Sequence, residues 1–148
     1  MRVFLVFDMR VLIFTPFTYN ADMWTRNSLC ILFSLTLFVL AAAHVCATIF
    51  FLYWTYSWLD IPMHGLGGIV VALGFLTVRN IYAHGKFRQG LLITVAVAFM
   101  VGLAWEIFEL LNGMTVATDP EYVWDTGHDL LMDMIGGCVG YCLARATM

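Results

Sequence analysis

Apolar residues run along this chain in long blocks, without the alternation of strands or the narrow stripe of a soluble helix. Leu29 to Tyr53 is the longest, interrupted only by Ser34, Thr36, His44 and Thr48. Ile61 to Val78 is a second, with His64, Gly65, Gly67 and Gly68 near its start. Leu91 to Leu111 is a third and carries Glu106 and Glu109 near its end. A helix crosses a bilayer core with about 20 apolar residues. Leu130 to Ala144 is shorter and reaches that length only if it begins near Asp125, which puts Asp125, Asp129 and Asp133 on a transmembrane helix. The pattern predicts an all-α integral membrane protein, a four-helix transmembrane bundle forming a single domain over residues 23–148.

The breaks between blocks agree. Asn80 to Gly90 is polar and basic, and Asn112 to Trp124 contains Gly113, Asp119 and Pro120. Tyr56 to Asp60 reads as a tight turn, with Pro62 in the first turn of the next helix. Residues 1–22 read as an N-terminal extension. Val3 to Phe17 is apolar, contains Asp8 and Arg10, and is expected to end at Pro16. It is too short to span and lacks a following small-residue cleavage site, so it suits an interfacial helix and not a signal peptide. Met23 followed by Trp24-Thr25-Arg26 also looks like a natural start, which would make 1–22 a mis-assigned extension.

Composition narrows the class. The chain has 148 residues, 62% hydrophobic and 11% charged, with a mean hydropathy of +0.88. Soluble domains are about 45–50% apolar and about 25% charged. The seven Lys and Arg residues cannot form a basic patch, so a nucleic-acid partner is excluded along with a disordered chain. The four cysteines are no disulfide framework in such a chain.

Charge fixes the expected topology. Arg2, Arg10 and Arg26 precede the first span, Arg79, Lys86 and Arg88 lie between the second and third, and Arg145 follows the fourth. All seven fall on one side, which predicts cytoplasmic termini. Tyr53, Trp54, Tyr56, Trp58, Tyr122 and Trp124 would form the outer aromatic belt, with Trp24 and Tyr82 near the inner face. Of the ten acids, only Asp8 and Asp22 lie on the cytoplasmic side.

The other eight lie in the outer half, and those on the helices meet at one level of the bilayer. At 1.5 Å per residue, His64 is about 6 Å deeper than Asp60, and Asp133 about 12 Å deeper than Asp125. Glu109 and Glu106 lie roughly 3 and 8 Å below the outer end of the third helix. His44 shares the outer half. Facing follows from spacing: Asp60 and His64 are i, i+4 with Gly68 continuing the stripe. Glu106 and Glu109 are i, i+3 behind Gly102, and Asp125, Asp129 and Asp133 run on into Gly136 and Gly140. Glycines let helices approach closely in lipid, so the acidic stripes should face one another inside the bundle.

An intramembrane Asp costs roughly 2.5–3.5 kcal/mol on insertion scales. Several together repel and must share protons or a cation. No Lys or Arg lies in the outer half to pair with them, which favours a bound cation or shared protons over salt bridges; carboxylates with an imidazole suit divalent Zn, Mn or Fe, and oxygen alone suits Mg or Ca. The preferred ligands are Asp60, His64, Glu106, Glu109, Asp125 and Asp129. In an enzyme, His64, Glu106, Glu109, Asp125 and Asp129 would hold the ion and Asp60 would be the general base. Asp133, His44 and His128 would be outer partners of the ligands or a proton path. The bland alternative is a hydrogen-bonded polar core that only fixes packing.

Three segments carry a family likeness: Asp60-Ile-Pro-Met-His64 running to Gly68, Trp105-Glu106-Ile-Phe-Glu109, and Trp124-Asp125-Thr126-Gly-His-Asp129 running to Gly136. Over roughly residues 55–142 the chain resembles the YjdF-like inner-membrane proteins and, more distantly, the VanZ-like family, which is associated with glycopeptide resistance. The resemblance implies the fold, the positions Asp60, His64, Glu106, Glu109, Asp125 and Asp129, and a bacterial inner-membrane location. It supplies no reaction.

Other residues read as ordinary. Cys30, Cys46, Cys138 and Cys142 are expected to be small packing residues, although Cys138 and Cys142 stand at i, i+4, a spacing that could take a soft metal. His84 belongs to the basic loop, and Asp119 and Glu121 to a solvated one. His-Glu-x-x-His and Gly-x-Ser-x-Gly are both absent, and Ser28, Ser34 and Ser57 lie away from the cluster. Three functions compete: a metal-dependent hydrolase or transferase acting on a lipid or lipid-linked envelope substrate, a proton- or cation-coupled transporter that would need to oligomerise, and a structural subunit.

Overall fold

A computed structural model describes the backbone of residues 10–82 and 90–147 and the side chains of 27–82 and 90–147. Arg2, Asp8, His84, Lys86 and Arg88 lie outside the described residues. All regular structure among the described residues is helical: α1 (Arg10–Ile49), α2 (Leu52–Thr55), α3 (Asp60–Tyr82), α4 (Leu91–Leu111) and α5 (Tyr122–Thr147). A 3-10 turn, Ser57–Leu59, leads into α3.

Three segments are long and apolar enough to cross a membrane: Asn27–Ile49, Ser57–Tyr82 and Leu91–Leu111. They correspond to the first three blocks of the sequence. The first ends earlier than the apolar run, at Ile49, because Phe51 adopts a left-handed conformation (φ 55°) that turns the chain into α2. At its other end α1 continues through Pro16, where the apolar segment was expected to stop. A proline forfeits one i to i−4 hydrogen bond, and the rest of the ladder can carry the helix past it. α4 stops at Leu111 in a glycine cap. Gly113 is left-handed (φ 68°), and the N–H groups of Gly113 and Met114 donate to the carbonyls of Leu110 and Glu109.

α5 has 26 residues, about 39 Å at 1.5 Å per residue. Its acids keep it from being apolar enough to count by composition, but its packing shows where they go. α5 runs parallel to α3 in the most extensive helix contact of the fold. Gly136 sits against the backbone of Gly65 and Ile69, and Gly140 against Ile69 and Ala72. Ala144 joins Leu29, Leu73 and Leu76 in the buried core. α4 runs antiparallel to α5, with Gly102 facing Asp133 and Gly137 facing Ala98 and Val95. α1 runs antiparallel to α3: the Thr77 hydroxyl reaches the Leu29 carbonyl at 3.5 Å, and Phe33 lies over Gly74.

Two unlike halves result. At the end holding Leu29, Tyr82 and Thr147, the Leu29, Leu73, Leu76 and Ala144 side chains are buried together, flanked by Leu32, Phe33, Ile69, Phe75 and Tyr141. At the other end the buried side chains include four charged or titratable ones, His64, Glu106, Asp129 and Asp133, beside apolar Met63 and Ala47. The outside is apolar: Ile31, Phe38, Leu92 and Met100 are largely exposed. A water-facing surface would not carry so continuous an apolar coat, whereas lipid requires one. Cys46 and Cys142 belong to this coat, contrary to the packing role expected, while Cys30 and Cys138 are half-buried; all four are free.

Candidate functional site

His64 is the hub. It lies one turn into α3, buried, and its two ring nitrogens face different partners. Nδ1 donates to Asp133 Oδ2 at 3.1 Å. Nε2 lies 3.6 Å from Glu106 Oε1 and 3.9 Å from Asp60 Oδ1. A ring that donates through Nδ1 carries its other lone pair on Nε2 when neutral. In that neutral form Nε2 turns its lone pair toward Glu106 and Asp60.

Asp133 reaches His64 because three helices make room for it. A Cβ on Gly68 would meet the Asp133 backbone, and one on Gly102 would overlap its carboxylate. Glycine stripes and acids thus face each other across α3, α4 and α5, as their spacing predicts.

Asp60, His64 and Asp129 each offer a ligand atom, and the three atoms lie within 4.8 Å of one another. His64 and Asp129 are buried and Asp60 is half-buried. Glu106 enters from α4. Its Oε2 accepts a 2.9 Å bond from the Thr126 hydroxyl. Glu106 Oε1 and Asp129 Oδ1 are buried without a hydrogen-bond partner, although their residues are only 4% and 2% exposed. Buried carboxylate oxygens left this way are costly unless something else meets them.

The remaining expected ligands sit farther out. Glu109 is half-buried and accepts from Trp105 Nε1 at 2.8 Å on its own helix. Asp125 is exposed, one turn before Asp129. His128 donates through Nδ1 to the Trp124 carbonyl of its own helix and packs edge-on against that indole. His44 is exposed on α1, with Nδ1 2.8 Å from the Tyr53 hydroxyl and its ring 6.5 Å from that of Trp105. Tyr53 holds its proton more tightly than an ordinary tyrosine, chiefly through burial and then through the charges of Asp60 and Glu109.

Three partners escaped the sequence reading. Thr126 was visible only as the residue after Asp125 in a motif, with nothing to aim its hydroxyl at α4. Tyr53 and Trp105 read as apolar or belt aromatics, and only the turn at Phe51 brings Tyr53 back against His44.

The family comparison agrees with the membrane reading. The sequence pattern of the predicted membrane protein family DUF2238 matches residues 2–148. The chain belongs to that family, and the YjdF-like resemblance is consistent with it. No curated protein and no solved structure matches the chain. It is a predicted membrane protein with three helices long and apolar enough to span, and membrane-protein nature implies a lipid bilayer environment.

Proposed function

We propose that this protein is a metal-dependent enzyme of the bacterial inner membrane, a hydrolase or transferase acting on a lipid or lipid-linked substrate at the outer leaflet. In this reading α5 is the fourth span, the termini are cytoplasmic, and residues 23–148 are the functional unit. The family likeness, YjdF-like and more distantly VanZ-like, contributes the order of the motifs and no chemistry.

The carrying observation is the pair of buried oxygens that accept no hydrogen bond among the described residues, Glu106 Oε1 and Asp129 Oδ1, with Glu106 Oε1 3.6 Å from His64 Nε2 and the Asp60 carboxylate nearby. A purely structural polar core would satisfy its buried acceptors. An ion among His64 Nε2, Asp60 and Asp129 fits the spacing of their ligand atoms, and one nitrogen with carboxylates suits Zn, Mn or Fe. It would supply charge stabilisation and an activated water. Asp60, set apart as general base from the sequence, lies among the ligands. Glu106 takes the base role better: Thr126 fixes one of its oxygens, and the other, 3.6 Å from His64 Nε2, accepts no hydrogen bond. Glu109 and Asp125 form an outer ring. Asp133 orients His64, as carboxylates do behind metal-bound imidazoles.

The inner half argues against a transport path. Leu29, Leu73 and Leu76 are at most 1% exposed, so the polar cluster opens toward one end only. The test is turnover of bacterial lipid extracts by metal-loaded protein in nanodiscs, followed by lipid mass spectrometry. Loss of a lipid species that stops in Glu106→Gln supports the reading. Unchanged lipid profiles across divalent metals contradict it.

A further inference from the structure

We propose, resting on the metal reading above, that the outer mouth of the cluster recognises an aminophospholipid head group. Its ammonium would lie against Glu109, Trp105 and Tyr53, and its phosphodiester would turn toward the metal position beside His64.

α1 lies against α3, and at its outer end the His44 ring lies 6.5 Å from that of Trp105 on α4. Four polar or aromatic side chains stand at this end: His44 bonded to Tyr53, and Trp105 bonded to Glu109. Asp60 lies behind them, with its side chain 36% exposed. Phe51 holds this arrangement by staying left-handed. That conformation is unfavourable for a bulky residue and persists mainly where the surroundings require it.

Charge then selects the ligand. A divalent ion would compensate Asp60 and Asp129, whereas Glu109 is half-buried and, among the described residues, accepts its hydrogen bond from the Trp105 indole. Every Lys and Arg of the chain precedes Asn27, follows Val78 before Gly90, or lies at Arg145. None can reach this end. A half-buried carboxylate beside two aromatic rings suits an ammonium group, which pairs with the charge and with the ring faces. Glu106 and Glu109 are one turn apart on α4. A ligand bearing an anion next to the ion and a cation one step farther out spans that separation, and an amine-bearing phosphodiester is such a ligand.

The full chain is reconstituted in nanodiscs of equal phosphatidylethanolamine and phosphatidylglycerol with matched acyl chains. Retained lipids are read by native mass spectrometry, and metal content is measured on the same samples. Retention of the amine lipid by about tenfold over the glycerol lipid is expected, the scale of one partly desolvated cation contact. Glu109→Gln and Trp105→Leu should each erase most of that preference, whereas Glu121→Gln, the same charge change on the exposed outer loop, should leave it intact. No preference in the wild type, or equal loss in Glu121→Gln, overturns the proposal as general charge repulsion. Metal present without preference defeats this inference and leaves the enzyme reading standing. Metal absent defeats the enzyme reading, and with it the phosphodiester half of the proposal.

Discussion

His64 Nδ1 and Asp133 Oδ2 lie 3.1 Å apart in the buried interior, though 69 positions separate them in sequence. That bond fixes which imidazole nitrogen faces the acids of α3, α4 and α5. Asp133→Asn should preserve folding and lower metal affinity by about 10- to 100-fold, the usual effect of removing a carboxylate behind a ligating histidine. Titration with a metal-chelator competitor measures it. Unchanged affinity would mean that Asp133 only fills space.

Gly67 and Gly68 are neighbours with opposite demands. A Cβ on Gly67 would stand 3.7 Å from the Asp133 carboxylate, an ordinary contact, whereas one on Gly68 would strike the Asp133 backbone. Gly68→Ala should destabilise the protein by about 1–3 kcal/mol, as overpacking does. Gly67→Ala should be nearly neutral. Thermal unfolding in detergent compares them, and equal losses would contradict the α3–α5 packing described.

Metal loading should weaken in acid. Carboxylate and imidazole ligands bind only when deprotonated, so protons compete with the ion and binding releases them. The sign is fixed: affinity falls as pH falls. Metal retention across a pH series checks this, and retention that rises toward acid would exclude these residues as ligands.

Much of the site is legible in the sequence because helical spacing is rigid. Asp60 and His64, or Asp125, Asp129 and Asp133, can only share a face, and the glycines beside them can only mark close packing. The third helix is read with its ends at Leu91 and Leu111, since Gly90 and Gly113 bound it. What spacing cannot show is distance across helices. Asp133 and Asp125 look equivalent in the stripe, yet one is buried on His64 and the other exposed. Glu106 and Glu109 look equivalent too, but only Glu106 reaches Nε2, while Glu109 turns to Trp105. The left-handed Phe51, which sets the end of α1 and the place of Tyr53, leaves no mark in an apolar run.

The fourth span is testable through topology. α5 lies parallel to α3, with Asp129 and Asp133 buried and Ala144 packed on Leu73 and Leu76. A reporter at the C-terminus should therefore read cytoplasmic, and a cysteine at Glu121 should react with a membrane-impermeant thiol reagent from outside. A chain begun at Met23 should give the same pattern. A C-terminus outside the cell would leave α5 on the membrane surface and contradict the four-span reading.

The central claim is that the buried acids and His64 hold a metal. Elemental analysis of detergent-purified wild type beside Asp129→Asn and Glu106→Gln tests it most directly. Near-stoichiometric Zn, Mn or Fe in the wild type, lost in Asp129→Asn and reduced in Glu106→Gln, is the predicted result. No metal after loading with each ion would contradict it and leave the carboxyls as shared-proton groups of a structural core.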